Sequence, residues 1–153
     1  MDEPEKPQSP DAWKNPFCLS FLVCDAIHRD AGTGKNYIIG TFSVFGALTY
    51  PTALLSMAVY VALTDGRGKI PFKLQLIDVD EEREPLFSAE FELEFIDPLA
   101  VLEGSFSLGN LVIPEPGEYR LQLFANSDPM MERRIIALPP SNPEPPHAEQ
   151  TDG

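Results

Sequence analysis

Phe87-Ser88-Ala89-Glu90-Phe91-Glu92-Leu93-Glu94-Phe95 alternates without a break, with Phe87, Ala89, Phe91, Leu93 and Phe95 on one parity and Ser88, Glu90, Glu92 and Glu94 on the other. A two-residue period belongs to an extended strand, whose side chains point to opposite faces in turn. A helix would carry Ala89 and Leu93 away from the phenylalanine stripe. The stretch therefore predicts a strand with one greasy and one wet face.

The same grammar extends outward in both directions. Upstream, Phe17, Leu19, Phe21 and Val23 fall on one parity of a strand running to about Cys24, with Cys18, Ser20 and Cys24 on the other. Asp25 then takes the core parity, where an unpartnered carboxylate is costly, so the strand is expected to end or bulge there. Asp30 to Asn36 is turn-rich, and Tyr37 to Phe45 returns as a strand containing Gly40, which marks a bulge or the close approach of a neighbour. Met57, Val59, Val61 and Leu63 alternate up to Asp65-Gly66-Arg67-Gly68, a hairpin signal that Phe72, Leu74 and Leu76 answer. Downstream, Asp97-Pro98 caps at most one helical turn, Phe106 and Leu108 start a strand, and Pro114-Glu115-Pro116-Gly117 makes a turn. Tyr119, Leu121 and Leu123 alternate again, and a last strand lies around Arg133 to Leu138. The pattern predicts an all-β, antiparallel two-sheet β-sandwich of about eight strands, immunoglobulin-like or C2-like.

Four of the sixteen prolines lie in residues 1–16 and five in 139–153. The reading is a flexible acidic, Pro-rich leader at 1–16, a β-sandwich domain at 17–138 and a disordered Pro-rich tail at 139–153. The central span is long enough to bury a single core. Of the net charge of -13, the leader carries -2, the tail -3 and the central span -8, so acidity belongs mainly to the folded body. Arg29, Lys35 and Arg133-Arg134 are the only local basic features. They are too few to track phosphates or hold an anionic membrane, so no nucleic acid is expected as partner. Cys18 and Cys24 sit six residues apart on one strand, about 20 Å, too far to bridge. Free thiols, a start without a signal core and no membrane-spanning run point to the cytoplasm, without membrane insertion.

Pro116-Gly117-Glu118-Tyr119-Arg120-Leu121-Gln122-Leu123 is similar to the penultimate strand of immunoglobulin-like sandwiches, where a tyrosine closes a corner. Cys24-Asp25, a charged turn ending Gly34-Lys35, Ile38-Ile39-Gly40-Thr41-Phe42, Tyr50-Pro51, Ile113-Pro114 and Pro116-Gly117-Glu118-Tyr119 form a wider set. Together they resemble a bacterial family of small uncharacterised proteins, a domain of unknown function, over about residues 19 to 138. The resemblance implies a β-sandwich and carries no assigned catalytic residues.

Few residues offer chemistry. Gly32-Thr33-Gly34-Lys35 lacks the GxxxxGK[ST] spacing of a phosphate loop, with Arg29 and Asn36 at the deciding positions, and a strand follows instead of a helix. Asp25, His28 and Asp30, with Cys24 behind them, could offer metal ligands, but the second Cys/His pair of a closed zinc site is missing. The alternative job for Asp25 is to accept turn amides. Asp78, Asp80, Glu81, Glu82 and Glu84 form the densest anionic loop, and Ile77-Asp78-Val79-Asp80 resembles the aspartate loop of C2 domains. Asp78, Asp80 and Glu82, with Asp25 or Asp128 contributed from elsewhere, are therefore the candidate calcium ligands.

Glu90, Glu92 and Glu94 lie about 7 Å apart on one strand face, wet and mutually repelling. They either form a solvated ladder that discourages edge pairing or offer a docking surface to a basic protein. Trp13, alone in a polar leader, either folds back on the sandwich or anchors a partner. No nucleophile, base and orienting residue assemble, and neither cysteine has a basic neighbour. The expectation is a noncatalytic, cofactor-free interaction or assembly module with an unknown, basic protein partner. The alternative is a calcium-dependent C2-like module.

Overall fold

The computed structural model describes residues 13–80 and 82–141. Eleven strands run through them, without a helix: β1 (Phe17–Arg29), β2 (Asn36–Thr41), β3 (Val44–Phe45), β4 (Thr52–Leu54), β5 (Ala58–Thr64), β6 (Gly68–Asp78), β7 (Phe87–Phe95), β8 (Leu102–Ser107), β9 (Leu111–Ile113), β10 (Gly117–Ala125) and β11 (Asp128–Ala137). They build a four-stranded sheet, β2-β1-β5-β8, a five-stranded sheet, β3-β11-β10-β6-β7, and a small ribbon, β4-β9. All pairings are antiparallel except the short β3–β11 contact.

The two large sheets bury one face each against the other. Phe21, Val23, Val59, Val61 and Leu63 meet Phe72, Leu74, Leu76, Leu121, Leu123 and Ile135 in one apolar cluster. Each fully buried aliphatic side chain there contributes about 1.5–3 kcal/mol. The expected sandwich is thus present, with more and shorter strands than eight: Tyr37 to Phe45 breaks into β2 and β3, and β4 and β9 pair outside both sheets. Tyr119 is fully buried and its hydroxyl donates to the Glu115 carbonyl at 2.6 Å, closing the corner that the sequence suggested.

Three expectations change. Phe17 and Leu19 were read as core, yet they are 65% and 50% exposed. The pairing of β1 with β5 slips between Cys18 and Ser20, so Leu19 is an extra residue and parity reverses on its N-terminal side. Cys18, opposite Leu63, takes the inward place instead and packs against the core.

The turn Asp65-Gly66-Arg67-Gly68 does not fold β6 back onto β5. β5 pairs with β1 and β8, whereas β6 pairs with β7 and β10, so this turn carries the chain from one sheet to the other. Gly66 holds that corner because a Cβ there would lie 2.7 Å from the Phe95 ring.

β1 also does not stop at Asp25. It continues to Arg29, paired with β2, and the resulting ribbon bends back. Arg29 and its partner Asn36 stand nine residues beyond Ser20, which through Ala62 aligns with Glu103. In a straight strand that separation is about 30 Å. Yet Asn36 Nδ2 donates to Glu103 Oε2 at 2.7 Å. The ribbon must therefore arch over the outer face of the four-stranded sheet. Its bend lies where Gly40, with φ of 68°, passes against the Asp25 side chain, the close approach expected of a strand glycine. Cys24, Ala58 and Ala62 are buried but stand outside the inter-sheet cluster, as residues beneath such an arch should.

Candidate functional site

The acidic loop after β6 is bound into the fold. Asp78 is the only buried charged residue among those described. Its Oδ1 accepts the Asp80 amide at 3.1 Å, and its Oδ2 lies 3.3 Å from Arg83 Nε, an ion-pair contact without hydrogen-bond alignment. Arg83 reaches on to Glu115 Oε1 at 2.7 Å. Asp80 Oδ2 accepts the Glu118 amide at 3.2 Å. Glu82 is exposed. A guanidinium thus neutralises the carboxylate on which a calcium ion would depend.

Asp25 sits on the other sheet, its carbonyl accepting the Ser56 hydroxyl and its side chain lying against Gly40. Asp128 accepts Asn15 Nδ2 at 3.2 Å. Among the described residues no three His, Cys, Asp or Glu side chains gather as a metal site. His28 is exposed and lies beside the Tyr37 ring, with centroids 6.3 Å apart. Asp30 shapes its own turn, accepting the Gly32 amide and the Thr33 hydroxyl, each at 2.9 Å, and these bonds hold its carboxyl below the usual range. Cys18 and Cys24 are free, and burial raises both thiols.

Glu103 receives both Tyr60 Oη at 2.6 Å and Asn36 Nδ2 at 2.7 Å. The Tyr60 and Asn36 bonds lower its carboxyl, while burial and the Glu103 bond push the Tyr60 phenol up to about 12. This group latches the ribbon. The sequence offered no sign of it, because its members are distant in the chain.

Glu90, Glu92 and Glu94 project outward from β7 as expected, while Phe91 stacks on Phe72 with centroids 5.4 Å apart. β7 is the edge of its sheet. Lys69 and Lys73 on β6 stand opposite Glu94 and Glu90, and Glu92 faces Pro71.

The other notable surface is one end of the sandwich. Lys14 and Arg67 bridge through their main chains, and Lys14 Nζ lies 2.8 Å from Asp65 Oδ2. The Asp65 amide donates to the Pro98 carbonyl, and Thr64, paired with Phe17, donates to the Ala100 carbonyl at 3.0 Å. These contacts bring the segment Trp13–Phe17, the corner and the loop 96–101 together. Trp13 is half-buried and Pro16 buried, so the last four residues of the expected leader join the folded body; residues 1–12 and 142–153 lie outside the described residues. At this end Phe17, Leu19, Ile96, Leu99 and Val101 are all exposed, Ile96 and Leu99 by 86% and 87%. Sequence reading missed it, although an apolar run broken by the Asp97-Pro98 turn cannot face inward throughout.

A family model described as a family of unknown function, DUF6941, matches residues 19–137, and the chain belongs to that family. No curated protein matches the chain. No helix of the described residues is long and apolar enough to cross a membrane.

Proposed function

We propose that this member of DUF6941 is a noncatalytic binding module that docks a partner protein on its apolar end. The observation that carries the reading is the approach of two segments bearing exposed Phe17, Leu19, Ile96, Leu99 and Val101, both tied by main-chain and side-chain hydrogen bonds to the corner at 64–67. Scattered apolar side chains are ordinary on a surface. Five large ones exposed on two segments tied to one corner support a contact there. The bulge at Leu19 supports the reading: it turns two large apolar residues out of a core that the strand pattern would otherwise have given them. A net charge of -13 keeps the chain soluble and favours a basic surround on the partner.

Site-specific photo-crosslinking in the source cells tests this. A crosslinking residue at Leu99 or Val101 is expected to yield one discrete protein adduct, and one at exposed Thr33 none. Adducts equal at all three positions, or absent at Leu99 and Val101, reject it.

A further inference from the structure

A second surface, independent of the apolar end, lies along β7. One side of its main chain is bonded to β6 over nine residue pairs without a register shift, and no strand is bonded to the other. Of the usual guards of a sheet edge, β7 carries only charge, in Glu90, Glu92 and Glu94; it holds no proline, glycine or bulge and is not short. Such an edge is a template for strand addition.

Its side chains specify what would add. Glu90, Glu92 and Glu94 point outward, and among the described residues none is ion-paired, although Glu115, Glu118 and Glu132 on neighbouring segments of the same body all are. Lys69 and Lys73 stand opposite Glu94 and Glu90 on β6 but form no ion pair with them, so three carboxylates at about 7 Å spacing can also meet the outward positions of another extended chain. A second copy of β7 is a poor occupant, since it would bring glutamates against glutamates. The inward side favours an aliphatic residue. Where the edges of β7 and β8 face each other, Phe91, Leu93, Leu102, Gly104 and Phe106 line a cavity of about 110 Å³, near the size of apolar cavities that stay dry and accept a small apolar group, about 150 Å³.

We infer that β7 accepts an extended segment of another protein in which lysine or arginine alternates with an aliphatic residue. The basic side chains oppose Glu90, Glu92 and Glu94, and an aliphatic side chain enters the seam between the sheets.

The test is fluorescence-anisotropy titration of the full chain with a labelled heptapeptide of alternating lysine and valine. The comparison is a peptide of identical composition with its lysines in one block. The alternating peptide should bind at least tenfold tighter, and amide hydrogen exchange should slow at Phe87 to Phe95. The triple variant Glu90→Gln, Glu92→Gln, Glu94→Gln, checked for an unchanged melting temperature, should weaken binding about tenfold or more. Equal affinity for the two peptides would show bulk charge attraction only and overturn the inference. So would exchange protection outside β7, an unaffected triple variant, or no binding at millimolar peptide.

Discussion

Arg83 joins a buried carboxylate on Asp78, which water cannot reach to replace it, to a half-exposed one on Glu115. Replacing it by alanine strands the Asp78 charge in the sandwich, and losses from breaking a buried pair run to about 3–5 kcal/mol. Because Arg83 is itself about one-third exposed, water recovers part of this. Urea unfolding of Arg83→Ala should therefore show a loss of about 2–3 kcal/mol, and Arg83→Ala with Asp78→Asn should regain most of it. The same geometry predicts that millimolar calcium leaves the melting temperature of the native chain unchanged, whereas a bound ion would raise it.

Tyr60 and Glu103 tie stability to pH from opposite sides. The Tyr60 phenol is raised to about 12, so its contribution is complete below about pH 10 and disappears as pH climbs through 12. Glu103 is lowered, so its contribution is present above its ordinary value of 4.5 and is lost as acid protonates it. Ultraviolet titration of the phenolates should show a tyrosine ionising near pH 12 that Tyr60→Phe removes. In that variant, amides of residues 26–39 should exchange faster while those of β10 do not. Local alternation forecast the direction of Glu90, Glu92 and Glu94. It could not forecast Arg83 or Glu103, whose partners are fixed by tertiary approach.

Among the elements, β7 and β10 were legible because each follows an unbroken period of two. β1 misled at its start, since one extra residue at Leu19 inverts the side chains before it and nothing in the local composition marks the slip. The corner after β5 misled for another reason. Asp65-Gly66-Arg67-Gly68 specifies a turn, but which sheet the chain enters next is set by the pairing of β6 with β7 and with β10, strands that come later in the chain. The bulge has a measurable consequence. Phe17→Ser and Leu99→Ser should each change stability by no more than about 0.5 kcal/mol, as surface substitutions do. Leu121→Ala, fully buried in β10, should cost about 2–5 kcal/mol. A Phe17→Ser loss as large as the Leu121→Ala loss would place Phe17 inside.

For the molecule as a whole, the sandwich follows from one requirement: successive strands with one apolar face must cover it, and two layers do so. Composition and period carried that much. The exposed apolar end was hidden because it is assembled from Phe17 and Leu19, which alternation assigns to the core, and from Ile96, Leu99 and Val101 around a turn. Hydrogen bonds between distant segments join them. Hydroxyl-radical footprinting of the free chain tests that claim most directly. Phe17, Leu19 and Leu99 should be modified at the rates of exposed side chains while Phe21, Val23 and Tyr119 stay protected. Protection of Phe17 and Leu19 equal to that of Phe21 would contradict the account.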